Sequence, residues 1–306
     1  MTPQAAPVPV LVDTDGGLDD ALALVFLTRS PAVDVVAIGS VHGNVPAEAA
    51  ARNTLRVLEL LGAEVPVAQG ATGPLTREVH YRHPEDPVGR LLGAPAAGPV
   101  GEPAAAQLVR HVRARPGALS LLTLGPLTNL ALALRQEPRL PELAGRVVVM
   151  GGVFSGDGSV SAVAETNIWC DPEAADMVLT AGFDLTLVGL DVTRQVQPTT
   201  GWLTALAQDP LPWGGFAALL AAAPPDQRPP MPLHDPLAAA VLARPDLVSC
   251  RSTPVRVELA EGAARGRTRA DSSSGRGGRP AVQVAEDVHV EQALDVLIEG
   301  LVPGLR

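Results

Sequence analysis

Lysine is absent from this sequence, cysteine and aromatic residues are scarce, and long apolar runs are missing. The only cysteines are Cys170 and Cys250, and neither belongs to a Cys-x-x-Cys pair, which argues against a disulfide scaffold and against a zinc site. No apolar run approaches the roughly 20 residues that a membrane span needs, so we expect no membrane partner. A net charge of −10 and a pI of about 5.1 argue against nucleic acid and anionic membrane surfaces as partners.

The remaining composition is that of an ordinary enzyme with a large core. The chain has 306 residues, of which 46% are hydrophobic, and its mean hydropathy is +0.20. Because we find no internal repeat and no convincing linker, we expect one domain spanning residues 1–306. Residues 1–12 lack a basic n-region and have only a short apolar stretch, so they are not expected to be a signal peptide, and the expected location is the cytoplasm.

Strand-like and helix-like segments alternate along the chain, which predicts an α/β fold with an open, mostly parallel sheet flanked by helices. The predicted strands are 8–13, 33–40, 65–68, 118–124, 146–150, 184–190, 255–259 and 281–284. The predicted helices are 18–29, 46–61, one ending at 113, one starting near 127, 172–180 and 290–301. Residues 70–103 and 198–233 are rich in Pro, Gly or Ala, and residues 271–279 are predicted to form a flexible surface loop.

The most informative segment is residues 13–20, with the sequence DTDGGLDD, directly after the apolar run at 9–12. Four carboxylates that converge raise one another's pKa unless a cation compensates them. No basic side chain is close in sequence, since the first arginine is Arg29. A solvated turn is the alternative, because turns commonly collect Asp and Gly. A hard divalent cation held by oxygen ligands accounts better for four aspartates behind a buried strand, so we predict that this loop forms the active site.

Further polar residues follow the other predicted strands. In open α/β sheets, ligands bind at the carboxyl ends of the strands, so residues that follow different strands meet in one pocket. We therefore expect the loop at 13–20 to be joined by the segments at 42–44, 124–129, 150–152 and 165–167 and by Asp191.

Residues 13–21 resemble the N-terminal signature DxDPGxDDA of the inosine–uridine preferring nucleoside hydrolases. Further motifs follow in the order of that family: GN at 43, GPLTN at 125, MGG at 150, AETN at 164, DPEAA at 171, GLDVT at 189 and HDP at 234. The resemblance implies the nucleoside-hydrolase fold with a Rossmann-like core. It also implies a Ca²⁺-dependent enzyme, commonly a homodimer or homotetramer, that hydrolyses the N-glycosidic bond of ribonucleosides to ribose and free base.

The resemblance also implies roles for single residues. Calcium ligands are implied at Asp15, Asp20, Asp235 and the main-chain carbonyl of Leu124, with waters or the ribose diol completing a shell of six to eight oxygens. Asp15 matches, in addition, the proposed general base for the nucleophilic water.

Substrate contacts are implied in the same way. The residues that match ribose-binding positions are Asp19, Asn44, Glu165 and Asn167, while Met150 matches a residue that packs against the sugar. His234 matches the histidine proposed to protonate the leaving base, although it could instead orient Asp235. His83 begins HPEDPVG, where the family typically has HGxxGxG in a mobile loop near the substrate, and as an exposed histidine it could equally be inert.

The sequence departs from the family pattern at several positions near the expected substrate. Gly16 replaces the usual proline, Ser159 falls roughly where a ribose-binding asparagine is often found, and Thr166 replaces a common aromatic residue. The only tyrosine is Tyr81, and residues 215–233, where relatives often place tyrosines near the base, contain none. Base stacking and leaving-group protonation are therefore expected to be built differently, and the substrate need not be inosine or uridine.

Two other interpretations compete with this one. Residues 13–19 also resemble the DxDGTLxD loop of haloacid-dehalogenase-type phosphatases, which use the first aspartate as a nucleophile with Mg²⁺. That mechanism normally needs a lysine, which is absent, and it leaves the GPLTN, ETN and HDP motifs unexplained. The non-enzymatic alternative is a nucleoside-binding protein that has lost turnover. Retention of the four residues Asp15, Asp20, His234 and Asp235 argues against it.

Overall fold

A computed structural model describes residues 6–271, 279–302 and 304 of the chain. Most of the surface loop predicted at 271–279 therefore lies outside the described residues. The strands are β1 (Val8–Thr14), β2 (Val33–Ser40), β3 (Val67–Gln69), β4 (Ser120–Thr123), β5 (Val147–Met150), β6 (Leu185–Val188), β7 (Val248–Val257), β8 (Thr268–Ala270) and β9 (Ala281–Val288). The α-helices are α1 (Leu18–Arg29), α2 (Ala47–Leu61), α3 (Pro87–Leu92), α4 (Ala104–Ala114), α5 (Thr128–Gln136), α6 (Leu140–Leu143), α7 (Thr166–Cys170), α8 (Pro172–Leu179), α9 (Leu190–Thr193), α10 (Thr200–Leu206), α11 (Pro212–Ala222), α12 (His234–Ala243) and α13 (Val290–Leu301), and two short 3₁₀ turns lie at Pro225–Gln227 and Pro245–Leu247.

The strands form one nine-stranded sheet in the order β3-β2-β1-β4-β5-β6-β9-β7-β8. All pairs from β3 to β9 are parallel, while β7 pairs antiparallel with both β9 and β8. This arrangement confirms the predicted open, mostly parallel α/β sheet. The chain order reverses between β1 and β4, and at this switch point Asp13 lies beside Thr123 of β4 and Gly39 of β2. Loops that leave β1 and β4 in the same direction border the crevice where open α/β sheets bind ligands.

Helices cover both faces of the sheet, because successive strand residues point to opposite sides. Val10 and Val12 of β1 belong to the core packed under α1, α2, α12 and α13. Leu11, between them, belongs to the core packed under α4, α5 and α8. A strand buried on both sides has little freedom to shift register, so the loop that follows β1 is held from below by both cores.

Several elements differ from the sequence-based expectation: the short helices α3, α6, α7 and α9 were not predicted, and β9 ends at Val288 rather than 284. Strand β7 begins at Val248 rather than 255. Residues 249–252, which pair antiparallel with β9, are all exposed and mostly polar, so the first half of β7 lacks the apolar pattern of a buried strand. The short edge strand β8 was not predicted. Helix α12 was also not predicted, although it begins at His234 and positions the HDP motif.

No helix within residues 6–271 and 279–302 combines the length and the apolar composition that crossing a bilayer requires.

Candidate active site

The loop between β1 and α1 is only three residues long and passes very close to α2. Gly16 adopts a φ of +74°, and a Cβ placed on it would lie 2.5 Å from the Cα of Ala50. A proline, the family's usual residue here, cannot adopt this φ, so the turn differs from one that contains proline. Glycine is thus required by both the backbone angle and the close approach.

Asp20, in the first turn of α1, fixes the shape of this loop. Its carboxylate accepts hydrogen bonds from the Thr14 hydroxyl, from the Asp15 N–H at 3.2 Å and from the Gly17 N–H at 3.0 Å. The bond to Gly17 is a capping-box contact, and a carboxylate at a helix N-terminus is also favoured by the helix dipole. The loop folds around Asp20, which holds the side chain in the interior.

Three carboxylates converge beside this loop. One oxygen each from Asp19, Asp20 and Asp235 lie within 4.8 Å of one another, and Asp20 and Asp235 are fully buried. Burial raises the pKa of Asp20 and Asp235, and the negative charges of neighbouring aspartates raise both further. No lysine or arginine forms an ion pair with them among the described residues. An oxygen donor set of this kind, without a positive partner, fits a hard cation.

Asp15 lies behind the same cluster and is held by Asn44. The backbone N–H and the Nδ2 of Asn44 donate to the two carboxylate oxygens of Asp15 at 2.7 and 2.8 Å. Burial raises the pKa of Asp15 well above its usual range, the charge on Asp20 adds to this effect, and the bonds from Asn44 oppose it. Asn44, expected to bind the sugar, therefore also orients Asp15.

The carbonyl of Leu124, at the end of β4, faces the predicted sugar residues. It accepts a hydrogen bond from the Nδ2 of Asn167 at 2.8 Å, and the same Nδ2 lies 3.2 Å from the carbonyl oxygen of Met150. Met150 is buried at the end of β5 and lines the cavity described below. Asn167 thus ties together the ends of two neighbouring strands.

Glu165 precedes α7 and accepts three backbone hydrogen bonds. The donors are the N–H groups of Asn167 at 2.8 Å, Ile168 at 3.1 Å and Gly152 at 3.1 Å. Burial raises the pKa of Glu165, whereas these bonds and the charge of Arg82 lower it. The carboxylate is thus held in the cavity wall by the main chain around the start of α7 and after β5.

The two histidines predicted to act near the substrate have different surroundings. His234 is the first residue of α12, and its Nδ1 lies 2.7 Å from the hydroxyl of Thr193. Burial lowers the pKa of His234 below its usual range, so the imidazole is mainly neutral at pH 7. His83 is 45% exposed, and its Nδ1 lies 3.6 Å from Oε1 of Glu85.

A cavity of about 400 Å³ connects these groups. Nine of the predicted residues line it: Asp19, Asn44, His83, Leu124, Met150, Glu165, Asn167, His234 and Asp235. Asp15 and Asp20 lie directly behind its wall. We call Asp15, Asp20, Asp235 and the Leu124 carbonyl the floor, and we call the exposed and half-buried lining residues Arg82, His83 and 230–232 the mouth. The structure therefore brings together, in one cavity and its wall, all the residues to which the family resemblance gives a role. Asp191, which was expected to join them, does not line the cavity and instead accepts hydrogen bonds from the N–H groups of Phe154 and Ser155.

Comparisons with known proteins agree with this arrangement. The sequence profile described as inosine-uridine preferring nucleoside hydrolase matches residues 10–295. The chain belongs to this family. It is 36% identical to the probable uridine nucleosidase 1 of Oryza sativa subsp. japonica over 86% of this chain and 84% of that protein, and 35% identical to the non-specific ribonucleoside hydrolase RihC of Shigella dysenteriae over 93% and 95%. The solved structure of the plant nucleoside hydrolase PpNRh1 superposes with a TM-score of 0.87 at 31% identity, covering 97% of this chain and 99% of that one.

The protein is thus a nucleoside hydrolase, an enzyme that cleaves the N-glycosidic bond of ribonucleosides. Asp13, which the phosphatase interpretation requires as a nucleophile, is buried, accepts a hydrogen bond from Asn129 at 2.8 Å and does not line the cavity. Burial raises its pKa to about 7. A covalent nucleophile must reach its substrate, so the position of Asp13 agrees with the family assignment and not with a phosphatase.

Two further residues of this nucleoside hydrolase, Arg82 and His42, lie at or behind the cavity. Arg82 lines the cavity but was not predicted, and the only sequence signal was its position next to His83. His42, which belongs to the segment at 42–44 that was expected to join the site, is fully buried and does not line the cavity. Its Nε2 lies 3.0 Å from the Thr128 hydroxyl, which donates to Asp171 at 2.7 Å. His42 therefore supports the loops behind the site and does not face the substrate.

Proposed function

We propose that this nucleoside hydrolase binds one Ca²⁺ at the floor of the cavity, with ligands from Asp15, Asp20, Asp235 and the Leu124 carbonyl. The observation that carries the proposal is the convergence of buried carboxylates with no cationic partner among the described residues. Oxygen-only donors at this density are typical of calcium sites. Asp19 lies close enough to act as a further ligand, but it lines the open cavity and we assign it to the ribose hydroxyls.

The sugar is proposed to lie over the floor, between Asp19 and Asn44 on one side and Glu165 and Asn167 on the other. When bound, the cation would orient the sugar hydroxyls and lower the pKa of a neighbouring water. Asp15, oriented by Asn44, takes the proton of the attacking water. The surrounding carboxylates stabilise the positive charge that develops on the ribosyl group in the transition state.

Leaving-group activation is proposed to come from His234. His234 lines the cavity and is oriented through Nδ1 by Thr193, so its Nε2 is available to the substrate. In its protonated form it can donate to a ring nitrogen of the leaving base. His234 is adjacent to Asp235 in sequence, so it lies at the edge of the floor, where it can reach the leaving base of a nucleoside whose sugar lies over the floor.

A panel of nucleosides tests the proposed function. Wild-type enzyme should release free base and reducing sugar from at least one ribonucleoside, lose this activity with a chelator and regain it with Ca²⁺. It should release no phosphate from p-nitrophenyl phosphate. Full activity after exhaustive chelation would refute the metal assignment, and binding of nucleosides without any hydrolysis would favour the nucleoside-binding alternative.

A further inference from the structure

The segment that carries Arg82 is anchored over the cavity by main-chain contacts. The N–H of Arg82 donates to the carbonyl of Gly43 at 3.0 Å, and the N–H of His83 donates to the carbonyl of Asn44 at 2.7 Å. The loop that follows β3 is therefore fixed against the loop that follows β2. This contact places the side chain of Arg82 at the mouth, across from the floor.

The guanidinium of Arg82 makes a single hydrogen bond among the described residues. Its Nη1 donates to the hydroxyl of Thr166 at 2.7 Å, and this hydroxyl lies 2.8 Å from that of Ser159. Thr166 and Ser159 are the two positions where the sequence departs from the family's usual aromatic and asparagine residues. The small hydroxyl side chains leave space for the arginine and give it a neutral hydrogen-bond partner.

The remaining N–H groups of Arg82 are free within the described residues. No carboxylate there lies within ion-pair distance of this guanidinium, and its Nε and Nη2 have no hydrogen-bond partner. An arginine side chain stays protonated at physiological pH and carries its donors in a fixed planar fork. The cavity thus presents an unpaired cation with free donors, and the hydrogen bond to the buried hydroxyl of Thr166, a lining residue, holds the guanidinium against the cavity wall.

The leaving base must lie near this cation if the sugar lies on the floor. The floor carboxylates are at most 3% exposed, whereas Arg82 and His83 are at the open end. A nucleoside with its ribose over the carboxylates therefore directs its base toward the mouth. We propose that Arg82 contacts the leaving base and stabilises the negative charge that the base acquires as the glycosidic bond breaks, an inference that rests on the proposed function.

With Arg82 in this role, the glycosidic bond can be hydrolysed without a proton donor on the enzyme. The water oxygen forms a bond to C1′ of the sugar, and its proton passes to Asp15. The bond between C1′ and the glycosidic nitrogen breaks, and its electron pair stays on the base. The resulting anion is held by Arg82 until it takes up a proton from solvent and leaves as the neutral base.

This assignment has a consequence for the class of base that is cleaved. A pyrimidine such as uracil has carbonyl oxygens that share the negative charge of the departing ring and accept hydrogen bonds from a guanidinium. A purine is instead assisted by protonation of its ring, and a fixed positive charge nearby opposes that protonation. Arg82 should therefore favour bases that leave as anions, so the preferred substrates are uridine-like pyrimidine ribonucleosides.

The test measures how the rate depends on the leaving group in Arg82→Met and Arg82→Lys. Removing one donor that stabilises developing negative charge typically lowers kcat by about 10²-fold. We expect this loss for Arg82→Met on uridine, a smaller loss on 5-fluorouridine, whose base carries negative charge more readily, and almost none on p-nitrophenyl riboside. Arg82→Lys should recover part of the uridine activity. Arg90→Gln is the matched control, because Arg90 is exposed, lies eight residues away and does not line the cavity, so it should leave all rates unchanged.

The outcomes separate this inference from the proposed function. Equal losses on all three substrates, or no loss on uridine, would overturn the role of Arg82 and reduce it to a residue that positions the loop. A steeper dependence on the leaving group in Arg82→Met, together with an unchanged melting temperature, supports it. If the wild-type enzyme cleaves no nucleoside at all, the proposed function fails before any variant is compared.

Discussion

The floor and the mouth of the cavity are built in different ways, although they face each other across about 400 Å³ of space. At the floor, the carboxylates follow a doubly buried strand or lie in the first turn of a helix, and Asp15 and Asp20 accept hydrogen bonds from the neighbouring main chain. At the mouth, the side chains come from long loops, and Arg82 makes a single side-chain hydrogen bond. The family's common chemistry is thus held by rigid elements, while the part that meets the base is carried by segments that can vary.

The largest effect is expected from changing the floor. Asp20→Asn removes a formal negative charge from the cation site and weakens the hydrogen bonds that shape the β1–α1 loop, so calcium affinity and turnover should fall together, with kcat lower by ~10³-fold or more. Calcium titration by calorimetry and a nucleoside assay measure the two effects. Asp34→Asn, a change of an exposed aspartate in β2, is the control. An Asp20→Asn enzyme with intact calcium affinity and full turnover would disprove the assignment.

A second prediction concerns the leaving-group side. His234→Ala should lower kcat on inosine by about 10²- to 10⁴-fold, the usual effect of losing a general acid, because a purine leaves most easily when protonated. Activity on p-nitrophenyl riboside should survive largely intact. Combined with the Arg82 variants, this gives a crossed pattern in which His234 matters more for purines and Arg82 more for pyrimidines. Equal losses on both substrates would mean that His234 positions Asp235 instead.

A third prediction separates the sugar side from the metal. Glu165→Gln should reduce kcat by about 10²-fold, because it removes negative charge that stabilises the transition state. Calcium affinity should be unchanged, since Glu165 is bonded to three backbone N–H groups and lies outside the carboxylate cluster. Loss of calcium binding in this variant would show that the sugar and metal sides of the cavity are not separate.

A change at His42 is expected to have the smallest effect on kcat but a measurable effect on the pH dependence of the free energy of unfolding. Burial lowers its pKa from 6.5 to about 4, so between these pH values the unfolded chain binds a proton that the folded protein does not. Protonation of the unfolded chain at His42 therefore lowers the free energy of unfolding as the pH falls below 6.5. By pH 4.5 the decrease should amount to about 2–3 kcal/mol. His42→Gln should remove this part of the pH dependence in urea denaturation at pH 7 and 4.5. An identical pH dependence in both proteins would contradict the assigned burial.

The floor could be predicted from sequence because its signals are local. The run at 13–20 and the helical spacing from Leu18 fix the ends of β1 and α1, which agree with the prediction within one residue. Helix α12 was missed since Pro236 looks like a helix breaker, yet proline is tolerated in the first turn, where its N–H would have no partner. Arg82 was missed because its position depends on main-chain contacts between distant loops, which no local pattern records.

The position of β9 inside the sheet has a consequence for synthesis of the chain. Strands β1 to β6 can pair with one another as soon as they have emerged from the ribosome, but β9 separates β6 from β7 and β8. The hairpin-like pair of β7 and β8 therefore cannot join the sheet until residues 281–288 have been translated. Helix α13, which packs on α1 near the N-terminus, follows only after that. The apolar surface of α1 that faces α13 is therefore among the last parts of the core to be covered during elongation.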